Sequence, residues 1–158
     1  MKKEMIETYL ANRQLSYDLI ERLSENDLDI RWNRPGLDTF RKHFLEMIAV
    51  QDAYANAIET GVMSFDSVPD VFSFDDKISK EEIIKKMKDS DAGLLSIIEK
   101  AAEEKEIFWF DMKLSLYTHV SNLVQHEVFH QGMITTSLYN FDIELPDSWI
   151  ENWALPKK

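Results

Sequence analysis

The sequence predicts an all-α protein, a four-helix bundle with a short C-terminal helix, and two observations support this prediction. Only four glycines and four prolines are available for turns in 158 residues, so the chain has material for few and long elements. Apolar residues also recur at helical intervals over four long stretches. Because this length is typical of one ordinary domain, we expect a single domain over residues 1–158.

The first two helices are predicted on either side of a polar break. Residues 3–23 carry a mostly apolar stripe with one basic interruption, which indicates a first amphipathic helix. A second helix is predicted to begin after Pro35-Gly36, with Asp38 or Thr39 as its N-cap. Gly61 is its natural C-terminal stop.

The next segment is too long for a tight link between neighbouring antiparallel helices. Residues 62–78 amount to 17 residues, a length that a crossover connection along the bundle explains. Ser79-Lys80-Glu81-Glu82 then has the pattern of a capping box. The apolar residues after it predict a third helix, which fades by residues 103–105.

A fourth long helix is predicted over residues 113–139. The apolar run 107–110 before it could form a strand, but a single strand would have no partner, so we expect a loop packed on the bundle. Asn140 is the expected left-handed cap at the end of this helix. Pro146-Asp147-Ser148 then predicts the start of the short terminal helix.

The composition of the chain argues against several classes of function and limits the possible metal ligands. Lys and Arg number 18 against 29 Asp and Glu, a formal net charge of −11, so the field of the protein repels nucleic acid and anionic lipid surfaces. No apolar stretch approaches the roughly 18 residues of a membrane span, and the N-terminus has no signal-like segment, so we expect a cytoplasmic protein. The absence of cysteine leaves His, Asp and Glu as ligands for a metal.

Two histidines on the fourth helix predict a metal site. His126 and His130 are four residues apart, so their side chains share one helix face and can converge on one ion. His119 is seven residues before His126, about 10.5 Å along the helix axis, and is too distant to bind the same ion. His43 lies on the second helix and could meet the pair across the core. We therefore predict that His43, His126 and His130 bind one divalent metal.

Other residues near this site are candidates for a supporting role. His119, Asn122 and Met133 share the histidine face of the fourth helix, and we expect them to line a pocket. Glu46 on the second helix could orient a ligand or act as a base, and Glu127 has the same two roles open to it. Exposure to solvent or packing on the flank of the helix is the alternative for both carboxylates.

Glu127 also completes the string His-Glu-x-x-His, which in zinc peptidases supplies two metal ligands and a general base. The extended form of that motif would need a glycine at Met133 and a third histidine at Thr136. No strand-rich domain precedes the helix either. Peptidase activity is therefore the weaker alternative, since a short motif often occurs by chance.

With these residues placed, the chain resembles the DinB-like superfamily of bacterial four-helix-bundle metalloproteins. The resemblance covers nearly the whole chain and is carried by Arg41-Lys42-His43-Phe44, His126-Glu127-Val128-Phe129-His130-Gln131-Gly132 and Leu145-Pro146-Asp147-Ser148-Trp149. It implies an up-down-down-up bundle with a long crossover between helices two and three, a homodimer, and nickel, zinc or iron bound by the three histidines. Some related branches transfer or isomerise small thiol-linked substrates. The family commonly has Gln where this chain has Met133.

Three hypotheses of function follow from the predicted site. Three neutral imidazoles would leave a divalent ion its full charge and an open position, as in catalytic centres. The first hypothesis is therefore a metal-dependent hydrolase or small-thiol transferase that acts on a small molecule. The second is a non-catalytic metal-binding or stress-response module, in which Phe65, Phe72 and Phe74 contact a partner or the other subunit. The third is a structural bundle without a metal.

Overall fold

Helices dominate the structure, a computed structural model that describes residues 2–75 and 77–156. The elements in this part of the chain are, in order, α1 (Lys2–Arg22), α2 (Glu25–Leu28), α3 (Phe40–Thr60), α4 (Lys80–Lys100), β1 (Glu106–Trp109), β2 (Met112–Ser115), α5 (Leu116–Asn140) and α6 (Asp147–Trp153). The predominantly helical class is confirmed, with one hairpin in addition. None of the described helices is both long enough and apolar enough to span a bilayer.

The four long helices contact one another in pairs. α3 packs against α4 and α5, and α1 packs against α5 and α4. α6 packs on α1, where the buried Trp149 donates its indole N–H to the carbonyl of Leu15 at 2.8 Å. The result is that α3 and α5 share a long interface, and this interface holds the histidines.

Local sequence signals explain where the long helices begin and end. Thr39 caps α3, since its side-chain oxygen accepts the amide of Lys42 at 3.2 Å. Gly61 ends α3 with a φ of 83°, a conformation that glycine adopts without a Cβ clash. Ser79 and Glu82 form a reciprocal capping box at the start of α4. These three predicted helix ends are confirmed.

The segment before α5 differs from the prediction. The sequence predicts a loop over residues 107–110 and a helix from Lys113, and both expectations are wrong. Residues 106–109 pair with residues 112–115 in an antiparallel hairpin, and α5 begins only at Leu116. Most of the partner strand β2 falls in residues that the sequence assigned to the fourth helix. Burial of Ile107 against the helices anchors the hairpin, which supplies the packing that an isolated pair of strands lacks.

Two smaller features also differ. Asn140 is not the left-handed cap: α5 runs through Asn140, and the positive φ of 58° falls on Asp142, a residue type that tolerates this region as asparagine does. The polar break after α1 contains the short helix α2, which Ser24 caps together with Asp27. α6 follows Pro146, as predicted.

The core consists of two hydrophobic clusters with buried polar side chains between them. One cluster includes Phe40, Phe44 and Trp149 near α2 and α6, and the other includes Ile107 and Leu116 near the hairpin. Each long helix contributes to both clusters and carries a buried polar residue near the point where its two contributions meet: Arg13 on α1, Gln51 on α3, Asp91 on α4 and Glu127 on α5.

Candidate metal centre

A carboxylate and two imidazoles converge where α3 faces α5. The Oε2 atom of Glu46 is 3.3 Å from His126 Nε2 and 2.8 Å from His130 Nε2. The two Nε2 atoms are 3.2 Å apart. Among the described residues, these three side chains offer ligand atoms that all lie within 4.8 Å of one another. The four-residue spacing on α5 puts both rings on the face that meets α3.

These separations fit a single metal ion. Metal–nitrogen bonds of about 2.0–2.1 Å at near-tetrahedral angles place two ligand atoms roughly 3.3 Å apart. The observed distances reach this value for Glu46 and His126, and a slight expansion would bring the others to it. Two buried atoms of the cluster, Glu46 Oε2 and His126 Nδ1, have no hydrogen-bond partner. An ion at the centre would give the Glu46 oxygen the partner it lacks.

Glu46 is more central to the site than the sequence predicts. Its side chain is only 14% exposed. Burial alone would raise the pKa of its carboxyl group, but the adjacent His126 and His130 rings outweigh burial and lower it to about 2. Glu46 is therefore an ionised carboxylate beside two imidazoles. The signal in the sequence was its three-residue spacing from His43, which puts both side chains on one face of α3.

His43 contacts the cluster from the side of α3. Its Nδ1 atom is 2.8 Å from His130 Nδ1, while His130 Nε2 faces Glu46. Its Nε2 atom is buried without a hydrogen-bond partner. Burial, helped by the nearby His130 and Arg34, lowers the pKa of His43 to about 3. The ring is therefore a neutral imidazole, the form that binds metals, but it lies next to the group of three rather than within it.

His119 does not line this site, contrary to the prediction. Trp109 donates its indole N–H to His119 Nδ1 at 2.8 Å, so the proton of His119 is on Nε2, which lies 3.0 Å from the carbonyl oxygen of Tyr54. The ring is fully buried beneath the hairpin, and this burial lowers its pKa. Because both nitrogens have partners, His119 is a core residue that fixes the hairpin to α3.

Of the alternatives left open for Glu127, the structure agrees with packing on the flank of the helix. The Oε1 atom of Glu127 accepts a hydrogen bond from Ser16 at 2.5 Å and lies 3.2 Å from Arg13 Nη1, both on α1. The side chain is buried and points to α1, whereas His126 and His130 point to α3. This orientation removes the general base that a peptidase mechanism would need.

Arg13 extends this pair into a buried polar network. Its Nε atom is 3.1 Å from Asp91 on α4, which also accepts hydrogen bonds from Tyr9 and Tyr17. Gln51 on α3 donates a hydrogen bond to Asp91, and its Oε1 atom lies 2.7 Å from the Tyr9 hydroxyl oxygen. All four long helices are therefore joined at this level. Through Glu127 the network holds one side of α5 against α1, while the histidine side of α5 meets Glu46 on α3.

Two more predicted residues flank the histidines on α5. Met133 follows His130 by one turn, and its sulfur lies 3.1 Å from Nη1 of Arg34, in the loop between α2 and α3. Asn122 precedes His126 by one turn and is half-buried. That these two residues line a pocket stays a prediction.

The loop between α2 and α3 covers His43, a feature that sequence reasoning missed. The ring of Trp32 lies 4.4 Å from the His43 ring, inclined at 31°. Gly36 has a φ of 80°, and a Cβ there would be 2.9 Å from a methyl carbon of Val71 in the long connection. Glycine is thus required for the loop to pack between the site and that connection.

Fold and site together define a class: a helical protein in which a histidine pair on one long helix faces a glutamate and a histidine on another. The sequence model of the DinB family matches residues 1–140, and the chain belongs to this family. A crystal structure of a DinB-like protein, YjoA from Bacillus subtilis, is similar over 90% of this chain and 95% of that chain, with a TM-score of 0.67 and 17% sequence identity. Comparison with curated proteins gave no match. The resemblance stated from the sequence is confirmed.

Proposed function

We propose that the protein binds one divalent transition metal, nickel, zinc or iron, and uses it to act on a small molecule as a hydrolase or a small-thiol transferase. The observation that carries this proposal is the convergence of Glu46 Oε2 with the Nε2 atoms of His126 and His130. Membership of the DinB family supports it, because that resemblance implies a bound metal.

We assign His126, His130 and Glu46 as ligands and His43 as the further nitrogen donor. His43 is included because its Nε2 atom is buried without a partner and its Nδ1 atom contacts the ligand His130. One carboxylate and neutral imidazoles would leave a divalent centre with a net charge of about +1, which still makes it a Lewis acid for a substrate oxygen or sulfur.

The residues around the proposed centre set its charge and its access to water. Glu46 is an ionised carboxylate beside His126 and His130, so its negative charge can contribute to binding a metal cation at this point. Trp32 shields the His43 ring from water on the side of the loop. One turn after His130, Met133 contacts Arg34 of the loop between α2 and α3.

The test is elemental analysis of untagged protein, followed by a substrate screen of the metal-loaded form. We expect about one metal per chain, and turnover either with reduced low-molecular-weight thiols and an electrophile or with activated esters. A chain purified from metal-replete cells that carries no metal would support the third hypothesis, a structural bundle, and overturn the proposal.

A non-catalytic metal-binding module is the second candidate. The observation that favours it is the exposure of Phe72, at 69%, on the long connection. Phe65, at 39%, is partly held by edge contacts with Tyr54 and Trp109, and Phe74 packs on the core. In this candidate, Phe72 contacts a partner or the second subunit of a homodimer. Complete inactivity of the metal-loaded protein on both substrate classes would favour it.

We also infer that the long helices run up-down-down-up. Supporting this order, Arg41 at the start of α3 reaches the carbonyl of Ile78 just before α4, and Gln51 bonds Ser90 further along both helices. These contacts fit parallel neighbours. Lys2 reaches the carbonyl of Glu99 and Lys80 that of Glu21, which fits an antiparallel α1 and α4.

A further inference from the structure

We propose that the loop between α2 and α3 forms an anion-binding subsite beside the metal centre, with Trp32 and Arg34 as its donors. Substrates would then carry a carboxylate next to the group that meets the metal. This inference deepens the proposed function and rests on it, since it names the chemical class of the substrate.

Trp32 offers a buried donor that has no acceptor. The residue is 9% exposed, and its Nε1 atom is buried without a hydrogen-bond partner. Buried N–H groups are nearly always paired, because leaving one unpaired costs its full desolvation. The ring lies 4.4 Å from the His43 ring, so the residue that carries this donor packs directly on a neighbour of the candidate metal centre. A ligand oxygen would satisfy it.

Arg34 is an exposed cation for which the described residues provide no carboxylate partner. Its polar contact within the described part of the chain is the sulfur of Met133, a weak acceptor. By contrast, Arg31 in the same loop pairs with Asp38 at 2.6 Å, and Arg41 pairs with Glu25 at 2.9 Å. Arginine binds carboxylates through two parallel hydrogen bonds. Arg34 therefore keeps this capacity for a ligand.

Each donor is linked to the ligand residue His130 through one neighbouring side chain. Trp32 packs on His43, which contacts His130 Nδ1. Arg34 contacts Met133, which follows His130 by one helical turn. Both donors therefore belong to one loop beside the α5 histidines, and Gly36 holds that loop against the long connection.

Because the whole chain is negatively charged, Arg34 should determine whether a carboxylated substrate or its neutral analogue binds more tightly. With a net charge of −11, the protein repels small anions. A carboxylated substrate therefore needs a local cation to bind as well as its neutral analogue. Without Arg34, the neutral analogue should be the better ligand.

Two thiols that differ in one group test the inference on cobalt-loaded protein, whose absorption reports thiol binding to the metal. Mercaptoacetate carries a carboxylate, and 2-mercaptoethanol carries a hydroxyl in its place. We expect the wild type to bind mercaptoacetate at least about tenfold more tightly, the equivalent of about 1.4 kcal/mol. Arg34→Met should lose this preference and keep its affinity for 2-mercaptoethanol.

Two further variants complete the design. Trp32→Phe keeps an aromatic ring next to His43 and removes the indole N–H together with part of the ring, so it should reduce the preference several-fold without loss of cobalt. Arg31→Met removes an equal charge from the same loop, but its partner is Asp38, so it should retain the preference.

Three results would overturn the inference. The wild type could bind both thiols equally, Arg34→Met could keep the preference because the carboxylate chelates cobalt directly, or Arg31→Met could lose it as fully as Arg34→Met. These results differ from failure of the proposed function itself. In that case cobalt does not bind, or neither thiol changes the cobalt spectrum, and both proposals fall together.

Discussion

Glu46 Oε2 lies 2.8 Å from His130 Nε2, across the interface of α3 and α5. Two spacings produce this contact: Glu46 follows His43 by three residues, and His130 follows His126 by four. Each spacing collects two side chains on one helix face, and packing of α3 on α5 brings the two faces together. The candidate metal centre therefore lies in the helix interface, and its residues can be substituted separately from the rest of the core.

Substitution of either histidine on α5 should remove the metal. His126→Ala and His130→Ala each delete one of two nitrogens that lie 3.2 Å apart, so neither variant keeps the ligand geometry of a tight site. Elemental analysis of the untagged variants should show well under one metal per chain. His119→Ala is the matched control: it should keep its metal but lose about 2 kcal/mol of stability with its two hydrogen bonds. Full metal content in both α5 variants would contradict the assignment.

The roles of Glu46 and His43 can be separated by isosteric changes. Glu46→Gln keeps the shape of the side chain and removes its charge, so the Kd for the metal should rise about 10- to 100-fold. His43→Phe keeps the ring that packs on Trp32 and removes both nitrogens, and we expect a loss of similar size. Competition with a chromophoric chelator measures both values. An unchanged Kd for His43→Phe would leave Glu46 as the third ligand and exclude His43.

Glu127 should matter for stability and not for the metal. Glu127→Gln leaves Arg13 with Asp91 and weakens its charge-assisted contact with Glu127. The free energy of unfolding, measured in urea, should fall by about 1.5–3 kcal/mol while the metal content stays unchanged. Lys85→Met is the control, since its exposed pair with Asp89 at 3.5 Å is worth about 0.5 kcal/mol or less. Metal loss without loss of stability would place Glu127 at the site after all.

The sequence predicted the long helices well because their signals are local. Thr39, Gly61 and Ser79 act within one turn of their own backbone, and helical periodicity depends only on near neighbours. The hairpin was missed for the opposite reason. Strand β2 is short, and its stability comes from pairing with β1 and from burial of Ile107 against distant helices, which no local pattern reveals.

In the candidate site, too, local spacing could be predicted from the sequence, whereas contacts between distant elements could not. The pair of His126 and His130 followed from spacing on one helix. The direction of the Glu127 side chain could not be predicted from spacing, because a glutamate at this position of the helix can face either of two neighbouring helices. Its contact with the buried Arg13 turns it towards α1. His119 was misplaced because one of its partners, Trp109, lies in a hairpin that the sequence did not predict, while the other is the carbonyl of Tyr54 on α3.

Gly36 and Gly93 should respond in opposite ways to alanine. Gly36 has a φ of 80°, and its added Cβ would be 2.9 Å from Val71, so Gly36→Ala should lower the free energy of unfolding by about 1–3 kcal/mol. Gly93 lies within α4 with nothing within 4 Å of an added Cβ, so Gly93→Ala should raise it by up to about 1 kcal/mol. Urea unfolding of both variants measures the contrast. Because Gly36 holds the loop that carries Trp32, its variant should also change the fluorescence of the folded protein, whereas Gly93→Ala should not. A neutral Gly36→Ala would show that the loop does not depend on its contact with the long connection.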